Sequence, residues 1–156
     1  MDPHETRVTF PGGKRVDAAF GPHVVRTDQS SAHGGAGSAP EPFELFLASL
    51  ATCAGIYALG FCQARDLATE GLDLVQRATF DPTTKRLTRV DLVVTLPPDF
   101  PEKYRAAIVR AMEGCRVKKT LFDPPEVTVT AEATRSLVAP REGSGEALAP
   151  AAGGGA

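Results

Sequence analysis

The side chains in this sequence best suited to nucleophilic or redox chemistry are three cysteines, Cys53, Cys62 and Cys115. A cysteine thiolate attacks peroxides and disulfides and binds soft metals, whereas a thiol on an apolar helix packs as a small hydrophobe. An odd number of cysteines without a dense framework fits a reducing compartment better than a disulfide scaffold. Cys53 and Cys62 are nine positions apart, which on one helix means ~13.5 Å of rise and about half a turn of phase. Bridgeable Cα atoms lie within roughly 7 Å, so these two cannot pair while the helix is intact. Cys53 and Cys115 fall on separate expected helices that share one core, so they can meet. A mid-helix thiolate draws little from its own helix dipole, whose influence is confined to the terminal turns. The sequence therefore directs attention to a nearby cation: Lys14, Arg15 or Arg26 upstream, or Arg116, Lys118 or Lys119 after the last cysteine. Each of these taken alone reads as a solvated surface charge.

Other chemistries have less support. His4, His23 and His33 show no H-x-x-x-H pattern, and the cysteines no C-x-x-C, so a structural zinc site is not expected. The run SSAHGGAGSA from Ser30 to Ala39 contains neither G-x-G-x-x-G nor a Walker lysine, and is read as a flexible loop rather than a nucleotide cradle. Ser49 and Thr52 lie near Cys53 without an evident base and are read as packing residues.

The elements that must position the cysteines follow from periodicity. Short strands are expected at 6–10, 15–20 and 24–27, separated by Pro11-Gly12-Gly13 and Gly21-Pro22, in a meander. Pro42 suits the first position of a helix running to about Asp66. Within it, Leu45 to Cys62 is eighteen residues without a charge, the lower limit of a membrane span. Its Ser, Thr and Gly content and the lack of aromatic or basic anchors at both ends favour a central helix enclosed by protein. Two strands, 72–80 and 90–96, form a hairpin through Asp81-Pro82-Thr83-Thr84. A second helix opening near Pro101 places Tyr104, Ile108, Ala111 and Cys115 on one stripe, which turns Cys115 inward. Val127, Val129, Ala131 and Ala133 alternate with polar residues as a last strand. Residues 1–138 are thus expected to form one α+β domain, and the Gly, Ala and Pro-rich residues 139–156 a disordered tail. With 17 Lys and Arg against 19 Asp and Glu, the chain carries no electrostatic footprint for nucleic acid or an anionic membrane. The polar start, without an apolar leader segment, points to the cytoplasm.

Two stretches carry a resemblance. Pro42-Phe43-Glu44-Leu45-Phe46-Leu47-Ala48-Ser49-Leu50-Ala51-Thr52-Cys53 resembles the helix of the OsmC/Ohr family (osmotically inducible protein C and organic hydroperoxide resistance) that bears the peroxidatic cysteine. Cys115-Arg116-Val117-Lys118-Lys119-Thr120-Leu121 resembles the segment with the family's second cysteine. The Gly12-Gly13 turn, Thr27-Asp28-Gln29 and the glycine-rich loop are also similar, so the resemblance spans about residues 6–133.

The resemblance implies an OsmC-like fold in which antiparallel sheets wrap around two long central helices in an intertwined homodimer. It also implies reduction of organic or lipid hydroperoxides with no metal or cofactor. Cys53 would be the attacking thiolate and Cys115 the resolving thiol, with a dithiol reductant, lipoyl-type or a small thiol. Arg15 is expected to be the activating cation, since its fork can engage a thiolate and a carboxylate together. The organic-hydroperoxide branch has a glutamate ten positions before its first cysteine, where this chain has Phe43. Glu44, nine before Cys53, is turned about half a turn away from it. Glu44 could orient an arginine or serve the helix terminus. The chain therefore resembles an OsmC-like side branch. A non-catalytic dimeric scaffold or apolar-ligand binder, and a thiol redox sensor, stand as alternatives to the peroxidase.

Overall fold

The computed structural model describes residues 5–132. The chain divides into two units, residues 1–125 and 126–156. Every helix and strand among the described residues lies in the first, in the order β1 (Arg7–Gly12), β2 (Arg15–Phe20), β3 (His23–Val25), a 3-10 turn (Ser31–His33), α1 (Pro42–Gln63), β4 (Asp73–Phe80), β5 (Leu87–Thr95), α2 (Glu102–Met112) and α3 (Arg116–Phe122).

The expected meander is present as an antiparallel sheet of order β1-β2-β3, with Val8 opposite Ala18 and Ala18 opposite Val25. Gly12 and Gly13 turn the chain between β1 and β2 with φ of 121° and 60°, a region closed to most residues with a Cβ. The loop that follows is more ordered than its composition suggests. Asp28, 1% exposed, takes the Gln29 and Ser38 amides at 2.8 and 3.0 Å and the Ser38 hydroxyl at 2.7 Å. These donors hold its carboxyl below the usual aspartate range, the Ser38 amide most and its hydroxyl next, with burial opposing. At Gly35 an added Cβ would lie 2.0 Å from the Gln29 carbonyl oxygen, so the loop closes on itself there.

Helix α1 starts where Pro42 predicts. A capping box closes its first turn, and in it the Glu41 N–H donates to Glu44 Oε2 at 2.8 Å. Glu41 also receives Ser30 N–H at 2.9 Å and contacts His33 Nδ1 at 2.8 Å, tying the loop to the helix start. Hydrogen bonds from Ser30 first and His33 next hold the Glu41 carboxyl down at about 2. At the other end Asp66 takes a left-handed φ of 51° and the Leu67 N–H returns to the Cys62 carbonyl at 3.0 Å.

One face of α1, Leu50, Ala54, Ala58, Phe61 and Cys62, is buried, and joins Phe100, Ile108, Met112 and Cys115 in the core. Its cover is the β4–β5 hairpin, in which Leu74 lies opposite Val94 and Gln76 opposite Leu92, together with α2 and α3. Gln76 Nε2 donates to the Leu47 carbonyl at 3.0 Å and pins the hairpin to α1. The opposite face of α1 is open within the chain: Ile56 is 65% exposed, and Leu59 is also exposed. The helix is long and apolar enough to cross a membrane by length and composition alone, yet it packs one face against hairpin and helices. The expected complete enclosure is thus half met in a single chain.

Two expectations need correction. Cys115 does not lie on the second helix. That helix ends at Met112, and Cys115 is the N-cap of the separate α3. The break comes at Gly114, where a Cβ would stand 2.7 Å from Tyr57 Cε1 and 3.0 Å from the Ala111 carbonyl oxygen. Close passage over the Tyr57 ring interrupts the 3.6-residue register that the stripe assumed. The last strand is not formed either. Residues 126–132 carry no regular element, and the described part of the second unit offers no strand for Val127, Val129 and Ala131 to pair with. Ala133 and the tail at 139–156 lie outside the described residues.

Candidate active site

Cys53 stands at mid-length of α1, partly exposed, next to the buried Ala54. Cys115 is fully buried at the N-cap of α3. Its sulfur accepts the Lys118 N–H at 3.4 Å, and its thiol can donate to the Leu50 carbonyl, 3.9 Å away and one turn before Cys53 on α1. The break at Gly114 swings the start of α3 against this turn. As a result Cys115 and the Val117 and Arg116 amides all act on the Cys53 sulfur.

These contacts polarise the pair. Burial works against a charge on Cys53, but the Cys115 thiol, then the Val117 amide, then the Arg116 amide outweigh it, and the Cys53 thiol is shifted below its ordinary value. Cys115 moves up, through burial first and through serving as donor to Cys53 second, with the Lys118 amide partly offsetting. Chemically this makes Cys53 the readier of the two to become a thiolate and Cys115 the readier to keep its proton. Both are free thiols, as is Cys62. Cys62 is fully buried one residue before the end of α1, where burial raises its thiol against a smaller opposing effect of Arg65. It has no part in the pair.

The other expected site residues are placed as follows. Arg15 lies on β2, with Nη2 2.8 Å from Asp17 Oδ2. It is not among the groups that shift Cys53. Glu44 is engaged at the start of α1 through the Glu41 amide. Of the cations after Cys115, Lys118 pairs with Glu113 through its ammonium group, and Arg116 serves Cys53 through its backbone amide. Sequence reasoning sought a cation and missed these amides. The signal was there in Gly114-Cys115 followed by helix formers, since a helix beginning at 116 presents unpaired N–H groups at its first turn.

Between β5, α2 and α3 opens a mainly apolar cleft of about 500 Å³, whose lining includes Leu50, Val90, Leu92, Val94, Met112 and Leu121 but neither Cys53 nor Cys115. Leu50 belongs to both cleft and site through its contact with the Cys115 thiol.

A family model described as OsmC-like protein matches residues 35–130. Similar solved structures include one described as an osmotic stress induced and detoxification response protein from Psychrobacter arcticus 273-4. It is 20% identical with a TM-score of 0.66, over 77% of this chain and 89% of that one. An OsmC-like protein of unknown function from Vibrio cholerae is 13% identical with a TM-score of 0.57, over 77% and 94%. An organic hydroperoxide resistance protein OsmC from Legionella pneumophila is 16% identical with a TM-score of 0.51, over 78% and 91%. At these identities the likeness is one of fold. Comparison with curated proteins finds no match.

Proposed function

Because the chain belongs to the OsmC-like protein family, we propose that it is a thiol-dependent peroxidase in which Cys53 reduces an organic or lipid hydroperoxide and Cys115 resolves the oxidised sulfur. The observation that carries this reading is Cys115 seated on the Leu50 carbonyl one turn before Cys53 on α1, where it and the α3 amides draw the Cys53 thiol down while its own is held up. A peroxidatic cysteine must be a thiolate, and a resolving cysteine must keep its proton until a sulfenic acid is beside it.

The Cys53 thiolate attacks the outer peroxide oxygen, so that a sulfur–oxygen bond forms, the oxygen–oxygen bond breaks, and the alkoxide leaves and takes a proton. Cys53 becomes a sulfenic acid. Cys115 then attacks that sulfur, the disulfide forms and water departs with the Cys115 proton. A dithiol reduces the disulfide and restores both thiols. The apolar cleft at Leu50 and Leu92 suits the hydrocarbon part of such a substrate. The fold similarity to a Legionella organic hydroperoxide resistance protein is consistent with this.

The molecule is proposed to act as a cytoplasmic homodimer. The open face of α1 and the three-stranded sheet, in which Phe10 and Val24 are exposed, are the surfaces a second copy would cover. Arg15, which is not among the groups that shift Cys53 in its own chain, is proposed as the cation contributed by the second copy. One equivalent of cumene hydroperoxide should give a Cys53–Cys115 disulfide by mass spectrometry, and Cys53→Ser should abolish turnover with dithiothreitol. Full turnover in Cys53→Ser would end the proposal.

A further inference from the structure

We infer that Asp17 is the positioning residue for Arg15, an inference that rests on the peroxidase reading and on Arg15 as its cation. Arg15 and Asp17 are two apart on β2, so their side chains rise from one face of the strand. Arg15 Nη2 donates to Asp17 Oδ2 at 2.8 Å, with side chains 38% and 12% exposed. The backbone beneath them is fixed from both sides, because β2 is the central strand of its sheet. Asp17 itself lies opposite Thr9 on β1. A guanidinium on a long stem loses much rotamer freedom when it is held for chemistry, and a carboxylate anchored on the same strand meets that cost in advance.

The other carboxylate suggested by sequence, Glu44, is committed to the Glu41 amide at the start of α1. Asp17 has acceptor capacity in reserve. Its Oδ1 is buried and meets no donor among the described residues. It lines a cleft of about 440 Å³ with Arg15, Arg26, Val24 and Ser38. A buried carboxylate oxygen without a donor is costly, and a second N–H of a guanidinium fork closing on both carboxylate oxygens would remove that cost. A guanidinium has five N–H donors, so an Arg15 bound at one edge to Asp17 still presents donors to a thiolate or a peroxide oxygen.

The test is steady-state kinetics with cumene hydroperoxide and dithiothreitol for the wild type, Asp17→Asn, Arg15→Gln and the double variant. Rates are referred to the fraction of chains that form the Cys53–Cys115 disulfide with diamide, which removes any loss of folded protein. Asp17→Asn is expected to lower kcat/KM for the hydroperoxide by about 10- to 100-fold. It should leave kcat/KM for dithiothreitol unchanged, and add nothing to the loss already present in Arg15→Gln. Equal losses in both half-reactions, or a full further loss in the double variant, would overturn the inference while leaving the peroxidase standing. A wild-type hydroperoxide step in Arg15→Gln would overturn the assignment of Arg15 and the Asp17 inference with it. No turnover in the wild type would overturn the peroxidase reading itself.

Discussion

Replacing Cys115 tests the polarity of the cysteine pair directly, because the two obvious substitutions separate its electrostatic part from its covalent one. Cys115→Ala removes the S–H donor that opposes the effect of burial on Cys53, while the Val117 and Arg116 amides remain. A hydrogen bond to a charged acceptor is worth about 1.5–3 kcal/mol. At ~1.36 kcal/mol per pKa unit, its loss should raise the Cys53 titration midpoint by about one to two units. At a pH below both midpoints the thiolate fraction, and with it the rate of iodoacetamide alkylation, should fall about 10- to 100-fold. Cys115→Ser retains an O–H donor at the same place, so its alkylation midpoint should stay close to the wild-type value. Neither variant can form the disulfide, so without a reductant both should consume one equivalent of hydroperoxide to reach the sulfenic acid, and a second only in passing on to the sulfinic acid. The measurement is alkylation rate against pH, with the modified site identified by mass spectrometry. Equal midpoints in the alanine variant and the wild type, or a lower one in the alanine variant, would refute the argument that Cys115 supports the thiolate.

Three further outcomes follow from the packing. Gly114→Ala would force a Cβ to within 2.7 Å of the Tyr57 ring, so it should cost about 1–3 kcal/mol in denaturant unfolding and slow disulfide formation by moving α3. Ile108→Ala truncates a side chain with no exposure and should cost about 2–5 kcal/mol in the same assay. Asp28 gains stability from a carboxyl that titrates lower in the folded chain than in the unfolded one. That contribution is complete above the unfolded aspartate value of ~3.9 and fades as pH falls through the folded one. Asp28→Asn should therefore melt lower than the wild type at neutral pH, and the two melting temperatures should converge below about pH 4.

What the sequence disclosed, and what it withheld, divides along physical lines. The start of α1 was legible at Pro42, the hairpin turn at Asp81-Pro82, and the placing of Cys53 and Cys62 out of reach of each other on one helix in their nine-residue spacing, because each depends on local geometry. The end of α2 was not, because apolar periodicity continues through Gly114 and the reason for the break is a tertiary contact with Tyr57, far away in sequence. The source of the thiolate shift was missed as a consequence, because backbone amides become donors only where a helix begins, and the start of α3 at Arg116 stands out in the sequence only once the break at Gly114 is recognised. The order of the 28–38 loop was hidden too. Its composition is that of a flexible linker, and a single carboxylate, Asp28, organises it. Glu44 had two readings from sequence, and its contact in the chain is at the helix terminus.

The sulfur of Cys115 has a second duty besides facing Cys53, since it is also the acceptor for the Lys118 N–H in the first turn of α3. Any bond made at that sulfur alters a helix cap and a redox centre at once. The oxidation state is thereby transcribed into the backbone, and the exchange rate of one amide proton becomes a reporter of it. Followed by hydrogen exchange, Lys118 would register the fate of the thiol on a surface segment, without any probe entering the site.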